Sequence, residues 1–332
     1  MGHQAAGKER SKRIVIDEAL DSVGATVWRT LDAIGLGLVN ATLPGMRSYM
    51  RHVPLEFGRL PIMGLLMHYH KTHDSLFVEA EGPLGIRMVG ETRDEIHAAI
   101  YLCGTWEPNL TSWLSARLQP GDGFVDLGAN NGYFSLLASR LVGPDGRVVA
   151  IEAQPTTFAK LERNLDLNEC ANVRAVQVAI FDRTDVLPLY SPDLEAHPGL
   201  TSLVDTPGFA PIGNVQATTL DRVLTVEEIA STRVLKIDIE GAEWNVLPAL
   251  RAMLGAARPD LEIVVEITPY PDRSTTELLR PFVELGFSAS VLPDDVMDLI
   301  IAPKVPRSPI PMPALELEER ANVILSRTRH HA

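Results

Sequence analysis

The sequence predicts an α/β protein whose mostly parallel β-sheet is covered by helices on both faces. Short apolar runs alternate with amphipathic stretches along the middle of the chain, which is typical of strands joined by crossover helices. A glycine-rich turn follows the first of these runs, and open parallel sheets bind ligands at such turns. The predicted strands are Gly123–Leu127, Arg147–Ile151, Val173–Ile180, Val234–Ile239 and Leu261–Ile267, and the predicted helices are Tyr133–Val142, Thr156–Asn168, Ala242–Leu254 and Ser274–Leu285.

The amino-terminal part of the chain differs from this middle part. Apolar residues recur every three or four positions over residues 14–43, and prolines interrupt residues 44–67, which predicts short broken helices there. Residues 1–74 are therefore predicted to form a helical extension. A β-hairpin around Gly82–Gly85 is expected to begin the main domain, which spans residues 75–304.

The carboxyl-terminal part is predicted to close this domain and then to leave it. Phe287–Leu292 and Met297–Ile301 are expected to pair as a terminal antiparallel hairpin. Residues 305–332 are predicted to contain a stiff proline-rich linker, followed by one short helix over Ala314–Ser326.

The composition excludes several classes of protein. With 43 acidic and 30 basic side chains, the formal net charge of −13 repels phosphate backbones, so we expect no nucleic-acid partner. The two cysteines form no CxxC pair, and no stretch reaches the about 18 apolar residues that a membrane span requires. We therefore expect a cytoplasmic protein without a transmembrane segment. The amino-terminal helices either cap the main domain, contact a membrane surface or mediate a homodimer.

The turn after the first strand indicates a ligand site. It reads DLGANNG (Asp126–Gly132) and precedes a helix, whose amino terminus offers unpaired N–H groups. The dinucleotide pattern G-x-G-x-x-G, aligned at Gly128, would place glycines at Asn130 and Tyr133, so the pattern fails here. The carboxylate of Asp126 would repel a pyrophosphate but can accept hydrogen bonds from an ammonium group. The turn therefore favours a zwitterionic amino-acid moiety over a dinucleotide.

Glu152 closes the next strand, one β-α-β unit after Asp126. A carboxylate at that position can accept hydrogen bonds from both hydroxyls of a ribose. Nicotinamide-dependent enzymes use the same position for the same purpose. Glu152 therefore indicates a nucleoside. The Asp126 turn then favours a ligand with an amino-acid moiety over a dinucleotide.

A second acidic group ends the strand Val234–Ile239. Asp238 and Glu240 are predicted to lie at the carboxyl edge of the sheet, and Glu266 ends the next strand at the same edge. An acid placed there can take a proton from a hydroxyl during group transfer. Alternatively, these three acids can hold a divalent cation such as Mg²⁺. A third interpretation is that Glu240 and Glu243 merely interact favourably with a helix dipole.

These motifs, in this order, resemble the FkbM family of S-adenosylmethionine-dependent methyltransferases. The resemblance implies a class I, Rossmann-like methyltransferase fold with a mostly parallel seven-stranded sheet and a terminal antiparallel hairpin. It also implies O-methylation of a hydroxyl on a sugar or secondary metabolite, with S-adenosylmethionine as the cofactor. The matching pieces lie within residues 100–270 and are Trp106-Glu107-Pro108, Asp126–Tyr133, Glu152, Leu161, Asn164, Asn168, Thr219-Leu220-Asp221 and Leu235–Glu243.

The resemblance further implies roles for individual residues. Within the cofactor-binding set, the Asp126 turn is expected to hold the methionine end, and Glu152 the ribose. Asp238 is expected to lie nearest the transferred methyl group and, together with Glu240, to carry the catalysis. The chain departs from the family after Glu152, where Ala153 replaces the usual proline. The candidate cofactor-binding residues are Glu107, Asp126, Gly128, Asn130, Gly132, Glu152 and Asp182.

Two other functional interpretations stay open at this point. A nicotinamide-dependent oxidoreductase is disfavoured by the failed glycine spacing, and a non-catalytic scaffold is disfavoured by the intact Asp126 turn. The segment Leu187–Gly213 is rich in proline and glycine and follows the third strand. We expect it to be either part of an acceptor lid or an ordinary surface loop.

Overall fold

The computed structural model describes residues 36–53, 57–64, 75–192, 201–293, 298–299 and 306–327. In these ranges the helices are α1 Leu36–His52, α2 Glu95–Cys103, α3 Pro108–Arg117, α4 Tyr133–Val142, α5 Pro155–Leu167, α6 Leu220–Val223, α7 Val226–Ser231, α8 Glu243–Leu250 and α9 Thr275–Glu284. The strands are β1 Phe77–Glu81, β2 Arg87–Glu91, β3 Gly123–Leu127, β4 Arg147–Glu152, β5 Val173–Gln177, β6 Ala179–Ile180, β7 Asp185–Ser191, β8 Ala210–Thr218, β9 Thr232–Ile237, β10 Glu262–Ile267, β11 Phe287–Leu292, β12 Ile310–Pro311 and β13 Ala321–Arg327.

The main sheet has eight strands in the order β12-β11-β13-β10-β9-β3-β4-β5. Strands β5, β4, β3, β9 and β10 are parallel, whereas β13 runs antiparallel to both of its neighbours, β10 and β11. The predicted class I, Rossmann-like fold, with a mostly parallel sheet and an antiparallel end, is confirmed, although the sheet has eight strands rather than the predicted seven. The order of the strands reverses between β3 and β9, and ligands bind outside the carboxyl ends of strands at such a switch point.

Helices cover both faces of this sheet, as the sequence predicts. One buried cluster contains Phe124 of β3 together with Leu136 and Leu137 of α4. Another contains Val125 of β3 together with Leu247 of α8. The side chains of neighbouring strand residues point to opposite faces, so β3 is apolar on both sides. A continuous apolar run is typical of such a strand, which explains why the sequence predicts β3 correctly.

The β1–β2 hairpin packs against α5 and confirms the hairpin predicted around residues 75–89. The backbone N–H groups of Arg87 and Val89 donate to the side-chain oxygens of Asn168 and Asn164, each at 2.9 Å. These two asparagines are therefore structural: they satisfy backbone donors of a strand that has no sheet partner on that side.

The helix α1 continues through Pro44, so the break predicted at that proline is wrong. The buried side chains of Leu43 and Met50 anchor this helix, and tertiary packing of this kind overrides an unfavourable local propensity. Residues 1–35 and 65–74 lie outside the described residues, so the boundary at residue 74 stays a prediction. Among the helices that the structure describes, none has both the length and the apolar character needed to cross a membrane.

A second sheet, with the order β6-β8-β7, lies between β5 and α6 in the chain. The single strand predicted over Val173–Ile180 is divided into β5 and β6, because the chain leaves the main sheet between them. Strands β7 and β8 are antiparallel and include Leu187–Ser191 and Ala210–Gly213, so the two ends of the predicted loop Leu187–Gly213 are strands. Leu187 and Leu189 are buried on one side of β7, which is the alternation of a strand with one solvent face. Residues 193–200 lie outside the described residues.

The carboxyl-terminal segment enters the main sheet, so the helix predicted over Ala314–Ser326 is wrong. Strand β13 occupies the last six residues of that range and pairs with β10 on one side and with β11 on the other. Of the predicted partner Met297–Ile301, only residues 298–299 are described, and they are helical; β11 pairs with β12 and β13 instead. Residues 323–325 are apolar and all buried, as expected for a strand covered on both faces. Such a short apolar run has no period that distinguishes a strand from a buried helix.

Replacing Leu325 by alanine tests the central position of β13. Leu325 is 0% exposed, so Leu325→Ala should lower the free energy of unfolding by about 2–5 kcal/mol, as other buried leucines do. Urea denaturation followed by circular dichroism measures this loss. The control Val226→Ala, at a side chain that is 71% exposed, should change the free energy of unfolding by less than about 0.5 kcal/mol. An equally small effect of Leu325→Ala would contradict the placement of β13.

Candidate active site

A cleft opens at the carboxyl ends of β3, β4 and β9, where the switch point predicts a ligand site. Ile96 and Trp106 contribute to its lining. Leu189 of β7 does so too, together with Thr201 and Leu203 from the chain between β7 and β8, and these three residues are called the β7–β8 segment below. The structure thus brings together residues that are distant along the chain. The lining includes six of the predicted site residues, namely Glu107, Gly128, Asn130, Glu152, Asp238 and Glu240.

The turn after β3 has a backbone that depends on its glycines. Gly128 and Gly132 have φ angles of 75° and 96°, in the left-handed region that favours glycine. A Cβ atom on Gly128 would lie 1.7 Å from the carbonyl oxygen of Asp238, so no other residue fits between β3 and the chain that follows β9. This close approach explains the glycine that the sequence places directly after β3.

Glu152 joins this turn to the loop that follows β4. Its Oε2 accepts the backbone N–H of Asn130 at 3.0 Å, and its Oε1 accepts that of Gln154 at 2.9 Å. Burial raises the pKa of Glu152 to about 7, although these hydrogen bonds favour the ionised form. The side chain also faces the cleft, so its carboxyl group is held in place before any ligand arrives.

Lys236 lies between two acids at the ends of neighbouring strands. It is opposite Asp126 in the register of β3 and β9, and its Nζ is 3.6 Å from Asp126 Oδ1. The same Nζ donates to Asp238 Oδ2 at 3.1 Å. Burial alone would lower the pKa of Lys236, but the two carboxylates hold it well above its usual range. Lys236 is therefore charged and neutralises part of the acidity of the site.

Asp126 lies one layer behind the cleft rather than in its lining. The residue is 0% exposed, and its Oδ2 accepts the hydroxyl of Ser135 at 2.7 Å. Burial raises the pKa of Asp126, an effect that Lys236 and Ser135 oppose. The structure thus gives Asp126 a protein ammonium group as its partner, where the sequence predicts the ammonium group of a ligand.

Asp238, Glu240 and Glu266 form a compact acidic cluster at the same edge of the sheet. One carboxylate oxygen from each lies within 4.8 Å of the others, as the predicted cation site requires. Arg320, the residue before β13, forms ion pairs with Glu266 and, at 3.5 Å, with Glu240. Burial would raise the pKa of Asp238, but Lys236 and Arg320 hold it below its usual value. Burial and Asp238 raise the pKa of Glu266 instead.

The chain after β9 is strained at Glu240, whose φ angle is 50°, a region that only glycine enters freely. Two side chains hold this conformation. Ser202 donates its hydroxyl to the Glu240 carbonyl at 2.6 Å, and Glu243 accepts the N–H groups of Ile239 and Gly241 at 2.9 and 2.8 Å. Glu243 therefore caps the loop and the first turn of α8, which agrees with its interpretation as a helix-terminus residue.

Two other predicted residues lie away from the lining. Gly132 begins α4, where a Cβ atom would lie 2.7 Å from the side chain of Leu161. Asp182 follows β6 and accepts from Arg183 at 2.9 Å and from Asn245 at 3.2 Å. The structure does not bring Asp182 into the cleft lining, and its cofactor contact stays a prediction.

Lys236 and Arg320 are site residues that were not predicted from the sequence. Lys236 had a local signal, because it is the one charged residue inside the apolar run Val234–Ile237 and stands two residues before Asp238. Side chains two residues apart on a strand share a face, so the pair was foreseeable. Arg320 had no local signal, because 54 residues separate it from Glu266 and only the insertion of β13 brings the two together.

Comparison with known proteins adds a family to this geometry. A model of the methyltransferase FkbM domain matches residues 126–291, which is half of the 332-residue chain. The chain belongs to the FkbM methyltransferase family. The predicted resemblance is therefore confirmed, and membership implies S-adenosylmethionine as the methyl donor. The match begins at Asp126 and ends within β11, so β13 and Arg320 lie outside it.

Individual relatives match smaller parts of the chain. Methyltransferase 1 of Beauveria bassiana is 28% identical over 149 residues, which cover 40% of this chain and 59% of that protein. Methyltransferase sdnD of Sordaria araneosa is 38% identical over 91 residues, which cover 27% of this chain and 34% of that protein. The chain thus covers less than two thirds of the length of either relative.

Solved structures of methyltransferases are similar in outline. Methyltransferase FkbM from Methylobacillus flagellatus KT is 13% identical with a TM-score of 0.38, over 69% of this chain and 53% of that one. A SAM-dependent O-methyltransferase from Thermotoga maritima is 15% identical with a TM-score of 0.38, over 69% of this chain and 68% of that one.

The pKa of Glu152 predicts a pH dependence of cofactor binding. We expect the Glu152 carboxylate to accept ribose hydroxyls above pH 7, whereas the protonated group has less acceptor capacity below it. The affinity for S-adenosylhomocysteine should therefore rise about tenfold between about pH 6 and about pH 8, as for a group whose pKa falls well below 6 on binding. Calorimetric titration across this range measures the effect. Glu152→Gln should bind more weakly and without this rise, and an unchanged pH profile in that variant would assign the titration to another group.

Proposed function

We propose that the protein transfers the methyl group of S-adenosylmethionine to a hydroxyl oxygen of a sugar or a secondary metabolite. The observation that carries this proposal is the position and charge of Asp238. Its carboxylate lines the cleft, and the ion pair with Lys236 favours its ionised form at neutral pH. An ionised carboxylate is the state in which a general base accepts a proton. A hydroxyl acceptor needs such a base, because its own pKa lies far above neutrality.

The residues of the cleft fit this cofactor. Each carboxylate oxygen of Glu152 has a lone pair left after accepting one backbone N–H, so the group can bind ribose hydroxyls. The turn from Gly128 to Asn130 reaches the cleft with its backbone and is proposed to hold the methionine end. Asp126 supports this turn from behind and is proposed to act through Lys236 rather than by direct contact.

Other cleft residues support a bound nucleoside. Val178 and Ile180 line the cleft and offer apolar surface to an aromatic base, as small-molecule sites usually do. Glu107 also lines the cleft, and Asn322 of β13 donates to its Oε2 at 3.4 Å. Contact of Asp182 with the cofactor would require its carboxylate to leave its present partners, Arg183 and Asn245.

In the proposed reaction, the residues of the chain align the acceptor and receive its proton. When bound, S-adenosylmethionine would supply an electrophilic methyl group on its sulfonium, with S-adenosylhomocysteine as the leaving group. Asp238 takes the proton of the acceptor hydroxyl as the new carbon–oxygen bond forms. Lys236 fixes the orientation of Asp238, and Glu240 is placed to bind a second hydroxyl of the acceptor. Alignment accounts for much of the acceleration, because the methyl group is already activated.

The β7–β8 segment supports an acceptor that is partly apolar. Leu189 and Leu203 add apolar surface to the cleft, and Thr201 adds a hydroxyl. The same cleft carries the carboxylates of Asp238 and Glu240, which can bind hydroxyl groups. This combination suits a sugar or a hydroxylated natural product, so we propose that this segment forms the acceptor wall.

Titration with S-adenosylhomocysteine, with NAD as the comparison, tests the proposed cofactor. We expect saturable binding of S-adenosylhomocysteine at one site and no binding of NAD, because the Asp126 turn lacks the dinucleotide spacing. Isothermal calorimetry on the full chain measures both. Binding of NAD alone would support an oxidoreductase and contradict the proposal. Binding of S-adenosylhomocysteine justifies a screen of sugars and natural products with isotope-labelled methyl donor.

The variant Asp238→Asn tests the proposed base. It keeps the shape of the side chain but cannot take the proton, so turnover of an acceptor found in that screen should fall about 100-fold or more. The dissociation constant of S-adenosylhomocysteine should change less than about fivefold, because the interaction is lost only in the transition state. Asp145→Asn, at an exposed turn position, is the matched control and should keep both values. Full turnover by Asp238→Asn would exclude Asp238 as the base.

A further inference from the structure

The guanidinium group of Arg320 reaches the acidic cluster from outside the matched family domain. It forms ion pairs with Glu266 of β10 and with Glu240 after β9, and its side chain is 36% exposed. The planar fork of an arginine is suited to two carboxylates at once, whereas a lysine offers a single point charge. Arg320 therefore links the ends of two parallel strands with one cation.

Strand β13 determines where this cation lies. Its first residue, Ala321, pairs with Ile267 at the end of β10, so Arg320 emerges at the edge of the sheet that carries the cleft. Asn322, two residues further on, points to the same side and donates to Glu107. The antiparallel strand thus delivers two polar side chains to a site otherwise built at the ends of parallel strands.

Without this guanidinium, the negative charge of the cluster would be balanced less completely. Three carboxyl groups whose oxygens lie within 4.8 Å of one another repel each other when all are ionised, and within the described residues Lys236 forms an ion pair with Asp238 of this cluster. Carboxylate oxygens at such distances are also the ligands that Mg²⁺ and Mn²⁺ prefer. Two positive groups cannot occupy one small cluster at low cost, so Arg320 and a divalent cation compete for the same carboxylates.

We propose that Arg320 is a positioning residue whose guanidinium takes the place of a divalent cation among Asp238, Glu240 and Glu266. Its role in turnover rests on the proposed function, because it acts by holding Glu240 and Glu266 beside the base. Its role as the resident cation rests only on the geometry of the cluster. The site of this chain is thereby assigned to metal-independent chemistry, in which an amino-acid side chain supplies the positive charge.

Binding of Mn²⁺ to purified full-length variants tests this assignment. The wild-type chain should show no saturable Mn²⁺ binding by calorimetry or by electron paramagnetic resonance. Arg320→Ala should gain saturable Mn²⁺ binding, with a dissociation constant at least about tenfold below the highest Mn²⁺ concentration at which the wild type shows none, because the carboxylate ligands are released. Arg320→Lys keeps the charge and should resemble the wild type. Arg280→Ala, which removes an exposed arginine of α9, controls for the change in net charge.

Three results would overturn the proposal. The first is Mn²⁺ binding by the wild type that is as tight as that of Arg320→Ala. The second is an Arg320→Ala chain that still binds S-adenosylhomocysteine but gains no Mn²⁺. The third is a gain that persists in the double variant Arg320→Ala with Glu266→Gln, because the metal would then lie elsewhere. If Arg320→Ala does not fold, as shown by loss of its cooperative unfolding transition, Mn²⁺ binding by Arg320→Gln is compared with that of the wild type instead.

Titration of S-adenosylhomocysteine in parallel separates this proposal from the proposed function. If the wild type binds no S-adenosylhomocysteine while the Mn²⁺ results are as expected, the function fails and the assignment of Arg320 stands. If S-adenosylhomocysteine binds and the wild type also binds Mn²⁺ at the cluster, the function stands and the assignment of Arg320 fails.

Discussion

The ammonium group of Lys236 lies between carboxylates from two neighbouring strands, Asp126 on β3 and Asp238 after β9. Without it, two acids would share the edge of the sheet, one of them wholly buried, and an unpaired buried charge costs several kcal/mol. The same group lies 5.2 Å from the ring of Phe134, in the first turn of α4. One side chain therefore fixes β3, β9 and the helix that follows the ligand turn relative to one another. The position of Asp238 in the cleft depends on that arrangement.

The parallel part of the fold was predictable because its rules are local. Buried strands such as β3 appear as short apolar runs, and glycines mark the turns where the chain must approach another segment closely. The placement of β13 was not predictable, because nothing within Ala321–Arg327 indicates which strands it pairs with. Strands β7 and β8 were missed for a related reason. Five prolines and three glycines within Leu187–Gly213 indicate a loop, whereas the alternation of Leu187 and Leu189 is short.

The site was predictable where an acid lies near the end of a strand or directly after it. Glu152 and Asp238 were found in this way, since carboxyl ends of parallel strands meet at one edge of the sheet. The sequence could not show which of these acids reaches the cleft. Asp126 follows the same rule, yet it lies behind the cleft lining and contacts Lys236. Nor could it show Arg320, which reaches the cluster only through tertiary structure. The acidic cluster was thus predicted correctly as a group, while the cation that it contacts was not.

Strand β13 follows β10 and β11 along the chain, yet it lies between them in the sheet. Until it is inserted, β10 and β11 present open edges to each other and to other chains, which are sites of mispairing. Pairing across a long sequence separation is also slow, because the entropy of closing the intervening loop must be overcome first. We therefore expect the sheet to be completed late in folding. A chain that has not yet inserted β13 carries the acidic cluster without Arg320, so we expect the cluster to gain this cation only as the sheet is completed.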